Sequence, residues 1–336
     1  MIKAAIEKVS NNIDLTEEET REVFNEIMSG SSSHEEIVHF LKALRDKGET
    51  IDEITGAAKV MLEKAERVDA GMDLIDTCGT GGTGINTFNI STTVAFVIAG
   101  CGVRVAKHGN RSASEQCGSA DVLEALGVKI GLPPAMVSKC IVDVGIGFIY
   151  APLFHSATKH AAKPRKEIGG RTIFNILGPL SNPAMVTGQV IGVYNEKLTE
   201  ILANVLKKLG LKRALVVYGL DSLDEISITD RTKVTELNSG KIRTYYISPE
   251  DLGMKRASIA DIKGGTAKDN ADIMLSILKG ERGPRRDIVL LNAAAALVVA
   301  GKVKDIKEGI RLSEKSIDSG AALEKLERLI KLTNKI

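Results

Sequence analysis

Residues 76–92 form a run of glycines and short polar residues whose types and spacing suit ligand chemistry. A glycine backbone can approach a ligand closely and can take positive φ without a Cβ clash. The glycines of this run are Gly79, Gly81, Gly82 and Gly84, and the hydrogen-bonding residues after them are Thr87, Asn89, Ser91 and Thr92. These residues precede an apolar stretch typical of a helix, and a helix N-terminus attracts anions through its free N–H groups and its dipole. The run therefore predicts a phosphate-binding loop.

Known nucleotide motifs fit this run only in part. Gly79-x-Gly81-x-x-Gly84 matches the dinucleotide fingerprint, but the helix begins too late and no carboxylate follows the second strand. Ile85 and Asn86 stand where the Walker motif has Lys and Ser or Thr. On the motif alone, a glycine-rich structural turn remains the alternative to a phosphate loop.

A basic hexapeptide, residues 107–112, follows the second predicted strand. It lies where open α/β folds bind ligands, at the carboxyl edge of the sheet. Arg111 offers two parallel donors and Lys107 a point charge, which together suit a highly charged ligand. A solvated basic turn is the alternative. Residues 118–121 then begin a helix whose N-terminus would hold a second phosphate.

Two adjacent carboxylates, Asp224 and Glu225, follow the predicted strand 213–218. Mg²⁺ prefers oxygen ligands and often lies between a carboxylate and substrate phosphates. The alternative is a pair of solvated surface charges.

A cationic stretch near a suspected hinge is either a solvated helix face or a site where a carboxylate-bearing acceptor faces Arg165. It contains His155, Lys159, His160, Arg165 and Arg171.

Short apolar strands alternate with helical stretches after residue 70, which predicts an α/β fold with a mostly parallel central sheet flanked by helices. The predicted strands are 72–76, 102–106, 146–150, 188–193 and 213–218, with a local β excursion at 226–248. The predicted helices of this part are 92–100, 118–126, 133–144, 196–209, 269–279 and 286–300.

Residues 1–70 predict a smaller, all-helical N-terminal domain. The capping boxes Thr16-x-x-Glu19, Ser33-x-x-Glu36 and Thr50-x-x-Glu53 each precede an apolar-periodic run. Residues 164–183 interrupt the later alternation and would return to the helical domain, forming a hinge. The α/β domain would then comprise residues 71–163 and 184–336.

Composition narrows the class of protein. The 336 residues suffice for two domains, and 43% hydrophobic with 26% charged residues is typical of a soluble globular protein. No apolar run of membrane-spanning length and no signal sequence is visible. The four cysteines form no CxxC pair, which favours reduced thiols in a cytoplasmic protein. The net charge of +2 excludes neither an acidic ligand nor nucleic acid, but it shows no overall basic field.

Several long motifs, in order along nearly the whole chain, resemble anthranilate phosphoribosyltransferases. They are Cys78-Gly-Thr-Gly-Gly82, Asn89-Ile-Ser-Thr92, Lys107-His-Gly-Asn-Arg-Ser112, Gly118-Ser-Ala-Asp121, Arg171-Thr-Ile-Phe-Asn-Ile-Leu-Gly-Pro-Leu180 with Asn182-Pro183, and Leu223-Asp-Glu225. The resemblance implies a pentosyltransferase of L-tryptophan biosynthesis. Such an enzyme transfers the phosphoribosyl group of 5-phosphoribosyl diphosphate (PRPP) to the amine of anthranilate. It also implies a homodimer formed through the helical domain.

Motif positions in the resemblance imply three groups of site residues. PRPP would contact Gly79, Gly82, Thr83, Thr87, Asn89, Ile90, Ser91, Thr92, Lys107, His108, Gly109, Asn110, Arg111, Ser112, Ala113, Ser114, Glu115 and Ser119. Anthranilate would face Gly79, Asn110, His155 and Arg165, with Asn110 and Arg165 positioning it. Two Mg²⁺ ions per subunit would be held by Ser91, Asp224 and Glu225. No general base is assigned, because the lone pair of the aryl amine is already free at neutral pH.

The chain departs from the usual family pattern at Thr83, Glu115, Ser156 and Ser222, where the family usually has Asp, a small hydroxyl residue, Pro and Gly. These differences would affect metal use and efficiency more than the type of reaction.

Two alternative functions are compatible with parts of this pattern. A pyrimidine nucleoside phosphorylase shares the architecture but would have Lys-Ser-Gly where this chain has Lys107-His108-Gly109. A non-catalytic nucleic-acid-binding relative would not need the retained carboxylate pair.

Overall fold

A computed structural model describes residues 1–112 and 117–335. Within residues 1–63 it contains four helices: α1 (Ile2–Ser10), α2 (Glu17–Ser29), α3 (His34–Lys47) and α4 (Ile51–Glu63). The three predicted capping boxes are confirmed at the starts of α2, α3 and α4. Each forms because the cap hydroxyl and the glutamate three residues later satisfy N–H groups that a helix start leaves without partners.

The rest of the described chain alternates strands with helices. The strands are β1 (Ile75–Gly79), β2 (Val105–Gly109), β3 (Ile146–Tyr150), β4 (Gly188–Gly192), β5 (Arg213–Gly219), β6 (Thr232–Asn238) and β7 (Lys241–Ile247). The helices are α5 (Ile90–Gly100), α6 (Ser119–Ala125), α7 (Pro134–Val144), α8 (Ala151–Phe154), α9 (Lys159–Ile168), α10 (Phe174–Leu180), α11 (Leu198–Lys208), α12 (Ala267–Leu278), α13 (Pro284–Val299), α14 (Ile306–Asp318) and α15 (Ala321–Thr333). Within residues 1–112 and 117–335, no helix has both the length and the apolar character that a membrane crossing requires.

The seven strands found in the described residues form one sheet, in the order β3-β2-β1-β4-β5-β6-β7. The first five strands in this order, β3 to β5, pair in parallel. The hairpin of β6 and β7 at one end is antiparallel, and β6 also pairs antiparallel with β5. The chain builds outward from β1 through β2 to β3 and then returns to the other side of β1 with β4. Ligands bind at the carboxyl ends of strands at such a reversal. The predicted fold class is confirmed.

Two hydrophobic clusters hold the described residues together. One lies between the sheet and helices that include α5, α7 and α13. The other joins α1–α4 to α9, α10, α11 and the opposite face of β4 and β5. The ring centroid of Phe24 in α2 lies 6.3 Å from that of Phe40 and 5.7 Å from that of Phe174 in α10. Part of the segment 164–183 therefore packs against the N-terminal helices.

Two of the predicted strands were wrong in their bounds by three residues. Strand 72–76 is Ile75–Gly79 in the structure, and strand 102–106 is Val105–Gly109. The apolar run misled the prediction, because both strands continue through buried polar residues such as Thr77 and Lys107, while Met72 lies outside β1 and is 39% exposed. Helices α14 and α15, after residue 300, were not predicted.

Candidate active site

A cleft of about 290 Å³ opens at the carboxyl ends of β1 and β2. It brings together most of the residues that the sequence predicted for the site. These are Gly79, Gly82, Thr87, Asn89, Ile90, Ser91, Thr92, Lys107, His108, Gly109, Asn110, Arg111, Ser112, Ser119, Asp224 and Glu225. They come from four separate segments of the chain, so the sheet topology is what assembles them.

The glycine loop between β1 and α5 forms one wall of the cleft. Gly81 and Gly82 take φ values of 64° and 70°, a left-handed backbone that other residues adopt at a cost. The loop is held against β4, a neighbour of β1 in the sheet, because Thr80 N donates to the Gly192 carbonyl at 2.9 Å. Helix α5 then begins at Ile90, with Ser91 and Thr92 of its first turn facing the cleft. The loop thus has the form predicted for phosphate binding.

Asp224 lies across the ends of β1 and β4. A Cβ at Gly79 would overlap the Asp224 carboxylate, and one at Gly192 would overlap its backbone. Glycine at these two positions therefore lets the loop after β5 approach the glycine loop. Asp224 Oδ2 accepts a hydrogen bond from Gly81 N at 2.8 Å. One predicted metal ligand is thereby connected to the predicted phosphate loop.

Asp224 and Glu225 place two carboxylates in a buried environment, where the charged form is disfavoured. Burial raises the pKa of Asp224, and burial followed by the charge of Asp224 raises that of Glu225 well above its ordinary value. Among the described residues, neither carboxylate forms an ion pair, and no group of three or more His, Cys, Asp or Glu side chains could hold a metal ion. A site of two carboxylates and the Ser91 hydroxyl fits Mg²⁺, which commonly takes its remaining ligands from water and substrate phosphates.

Lys107 places a buried cation at the floor of the cleft, where its side chain is braced by neighbouring oxygens. The residue is 3% exposed, and its Nζ donates to the Thr77 carbonyl and to Ser91 Oγ. Asp76, which is fully buried in β1, accepts from His108 N at 3.3 Å and from Asn182 Nδ2 at 2.9 Å. Burial raises the pKa of Asp76, and the charge of Lys107 opposes that rise. These contacts fix the end of β2 beside that of β1.

Asp121 organises the turn that follows β2. Its carboxylate accepts from Gly118 N at 2.9 Å, from Ser112 N at 3.2 Å and from Arg111 Nη1 at 2.9 Å. Ser119 Oγ donates to the Asn110 carbonyl, which brings the start of α6 against the same turn. The predicted ligand contacts at Ala113, Ser114 and Glu115 lie outside the described residues.

Of the predicted site residues that the structure describes, three do not line the cleft: Thr83, His155 and Arg165. Thr83 Oγ1 accepts from Ile85 N at 3.1 Å and so stabilises a turn of the glycine loop. The Arg165 guanidinium lies over the Phe174 ring at 5.0 Å from its centroid. His155 packs behind His108, with 5.2 Å between ring centroids. Their predicted ligand contacts stay predictions.

The two histidines are buried and neutral. Burial lowers the pKa of His108 to about 3, with His155 contributing, and lowers that of His155 to about 4. Within the described part of the chain, the Nε2 atoms of both rings are buried without a hydrogen-bond partner. One of these nitrogens, on His108, belongs to a residue that lines the cleft, and the other, on His155, lies behind it.

The cleft also contains residues that were not among the predicted ligand contacts, although Gly81 and Gly118 belong to the segments predicted to bind phosphate. They are Cys78, Thr80, Gly81, Phe88, Cys117, Gly118 and Asn175. Most are neighbours of assigned residues in the same motifs. Asn175 is different, because it reaches the cleft from α10, within residues 164–183. Its place within the Arg171-to-Leu180 motif was the available signal.

This two-part architecture defines a class of transferase. Residues 3–65 match the helical bundle domain of a glycosyl transferase family, and residues 71–323 match the α/β domain of the same family. The chain is 56% identical to an anthranilate phosphoribosyltransferase of Acetivibrio thermocellus, over 99% of this chain and 97% of that one. It is 54% identical to the Moorella thermoacetica enzyme of that name, over 98% of each chain. The chain belongs to the anthranilate phosphoribosyltransferases, and the predicted family and enzyme class are confirmed.

Solved structures agree with this assignment. The crystal structure of the anthranilate phosphoribosyltransferase from Thermus thermophilus superposes with a TM-score of 0.93 at 41% identity, covering 98% of this chain and 99% of that one. The Saccharomyces cerevisiae enzyme, in complex with PRPP and Mg, superposes with a TM-score of 0.92 at 28% identity, covering 100% and 98%.

Proposed function

We propose that the cleft binds PRPP and anthranilate and that the chain transfers the phosphoribosyl group from the first to the second. The products are N-(5-phosphoribosyl)anthranilate and diphosphate, and the step belongs to L-tryptophan biosynthesis. One observation carries the location of the site: the glycine loop, the buried Lys107 and the Asp224–Glu225 pair meet in a single cleft. Family membership supports the reaction.

PRPP is held by donors that converge on the cleft. The glycine loop and the first turn of α5 provide backbone N–H groups, and Lys107 provides a fixed charge that water screens little because the residue is buried. Asn89 and Ser119 add polar side chains from two other segments. Donors that are fixed before the reaction stabilise charge on the departing diphosphate without reorganising.

Mg²⁺ assists the reaction by neutralising charge on the diphosphate. Ser91, Asp224 and Glu225 hold two ions per subunit in this proposal. Burial raises the pKa of both carboxylates, and the charge of Asp224 raises that of Glu225 further; a bound cation would favour the charged form of both.

Anthranilate enters beside Gly79 and Asn110, which line the cleft. In this proposal it also contacts His155, whose ring packs against His108, and Arg165. The arginine can pair with the carboxylate of anthranilate, and the partnerless ring nitrogens can accept from its amine. The amine attacks the sugar carbon with its own lone pair, so positioning of the two substrates replaces a general base. The low pKa values of His108 and His155 leave both rings uncharged at neutral pH.

The test follows anthranilate fluorescence in a mixture of purified protein, PRPP and Mg²⁺. We expect a loss of signal that a chelator prevents and that Asp224→Asn/Glu225→Gln abolishes. Asp272→Asn/Glu324→Gln removes two carboxylates from exposed helix surfaces and serves as the matched control. A constant signal from folded wild-type protein would contradict the proposal.

Three further predictions accompany the function. The chain forms a homodimer through the helical domain, whose residues 1–70 are completed by about 164–183. Residues 71–163 and 184–336 form the PRPP-binding domain. The packing of Phe174 against Phe24 supports this division. The enzyme acts in the cytoplasm, without membrane or nucleic-acid partners.

A further inference from the structure

Arg171 connects the hinge segment to the glycine loop. It lies between α9 and α10, directly after Gly169 and Gly170. Its Nη2 donates to the Gly82 carbonyl. Its guanidinium carbon lies 4.0 Å from the centroid of the Tyr194 ring, a distance typical of a stacked cation–π pair. Arg171 itself does not line the cleft.

Tyr194 is in turn joined to the same loop. It lies two residues beyond β4, and its backbone N donates to Thr80 Oγ1 at 3.0 Å. The Thr80 N–H donates to the Gly192 carbonyl. The Tyr194 ring, over which the Arg171 guanidinium lies, is therefore held close to the start of the glycine loop. Arg171 extends from this ring to Gly82 in the middle of the loop.

The contact acts on a glycine peptide, whose orientation has few steric limits. Gly82 stands among glycines with left-handed φ values, so the peptide between Gly82 and Thr83 meets little steric resistance to reorientation. In a trans peptide the carbonyl and the following N–H point in opposite directions. A Gly82 oxygen turned toward the cleft would repel phosphate oxygens, whereas one held by Arg171 is kept toward the guanidinium.

We propose that Arg171 is a positioning residue for PRPP: by holding the Gly82 carbonyl, it keeps the glycine loop in the orientation that accepts the diphosphate. The inference rests on the proposed function of the cleft. Because Arg171 belongs to the segment that also brings Asn175 to the cleft, the loop orientation depends on the placement of the hinge.

Steady-state kinetics of Arg171→Gln test the proposal. A charged hydrogen bond is lost, so we expect the KM for PRPP to rise about 20-fold. We expect kcat and the KM for anthranilate to change less than about threefold, because the bond acts on loop orientation rather than on the acceptor. Arg171→Lys should resemble Arg171→Gln, since an ammonium lacks the planar fork that both stacks and donates. Tyr194→Leu should reproduce part of the effect, and the double variant should be no worse than Arg171→Gln.

Arg243→Gln is the matched control, because Arg243 also lies over a tyrosine, at 5.1 Å from the Tyr245 ring centroid, but on β7 away from the cleft. An unchanged KM for PRPP in Arg171→Gln overturns the inference. An equal rise in the KM values for PRPP and anthranilate, together with a lower Tm, also overturns it, because that result would indicate a structural role. Full activity in Arg171→Lys with a silent Tyr194→Leu would indicate a direct charge contact instead. An inactive wild-type protein would contradict the proposed function itself, which separates the two failures.

Discussion

His155 is a buried imidazole whose neutrality makes stability depend on pH. Its native pKa of about 4 lies below the ordinary value near 6.5, so between these values the unfolded chain binds a proton that the native state does not. Its contribution is complete above pH 6.5 and is lost as the pH falls. We expect His155 to account for about 2 kcal/mol of the stability lost between pH 7 and pH 5.

Urea unfolding of His155→Asn at both pH values measures this contribution, because the amide keeps a donor and cannot be protonated. His39→Asn, at an exposed position, is the control. An identical acid loss in His155→Asn and the wild type would rule out the assignment.

Thr83 lies in the glycine loop without lining the cleft. Its hydroxyl accepts from Ile85 N, a bond that the side chain of Asp could also make. Thr83→Asp should therefore fold normally and change the Mg²⁺ concentration at half-maximal rate, because it adds a carboxylate near the proposed metal site. Thr83→Asn introduces a side chain of the same shape as Asp but without the charge. Superimposable Mg²⁺ titrations of the two variants would show that a carboxylate at position 83 does not affect the use of Mg²⁺.

Glu53 joins three elements of the helical bundle. Its carboxylate accepts from Leu15 N at 2.9 Å before α2, from Lys47 Nζ at 3.0 Å at the end of α3 and from Thr50 N at 2.8 Å at the start of α4. Both Glu53 and Lys47 side chains are almost fully buried. Glu53→Gln should cost about 2 kcal/mol of unfolding free energy, because the buried Lys47 ammonium loses one of its two carboxylate partners and keeps only Asp14.

Denaturant unfolding checks this value against Glu36→Gln, which alters the same kind of capping box at a more exposed position and should cost about 1 kcal/mol. Equal costs for the two variants would show that the burial of Glu53 is unimportant.

Local chemistry explains which elements could be predicted from the sequence. The starts of α2, α3 and α4 were found because each capping box acts within four residues. The ends of β1 and β2 were missed because buried polar residues there are stabilised by distant partners, as Lys107 is by Thr77 and Ser91. The same limit applies to the site: motifs indicated the glycine loop and the carboxylate pair, whereas the approach of Asn175 and Arg171 depends on how α10 packs.

The proposed homodimer concerns the whole molecule. Within residues 1–45, Met1 and Ile13 are the large apolar residues most exposed, at 55% and 52%. Ile13→Asp should raise the dimer dissociation constant at least about tenfold, because a charge would be buried in the interface. Light scattering across a concentration series measures the change. Met72→Asp, outside the helical part, is the control; a dimer unaffected by Ile13→Asp would place the interface elsewhere.

The central position of β1 has a consequence for synthesis on the ribosome. Its neighbour β2 emerges soon after it, but its other neighbour, β4, follows only after more than a hundred residues. At about 5–20 residues per second, one edge of β1 waits on the order of ten seconds for its partner. A nascent chain in that interval exposes an unpaired strand edge, which is a template for aggregation. Slow translation before residue 192 should therefore increase the dependence of this protein on chaperones.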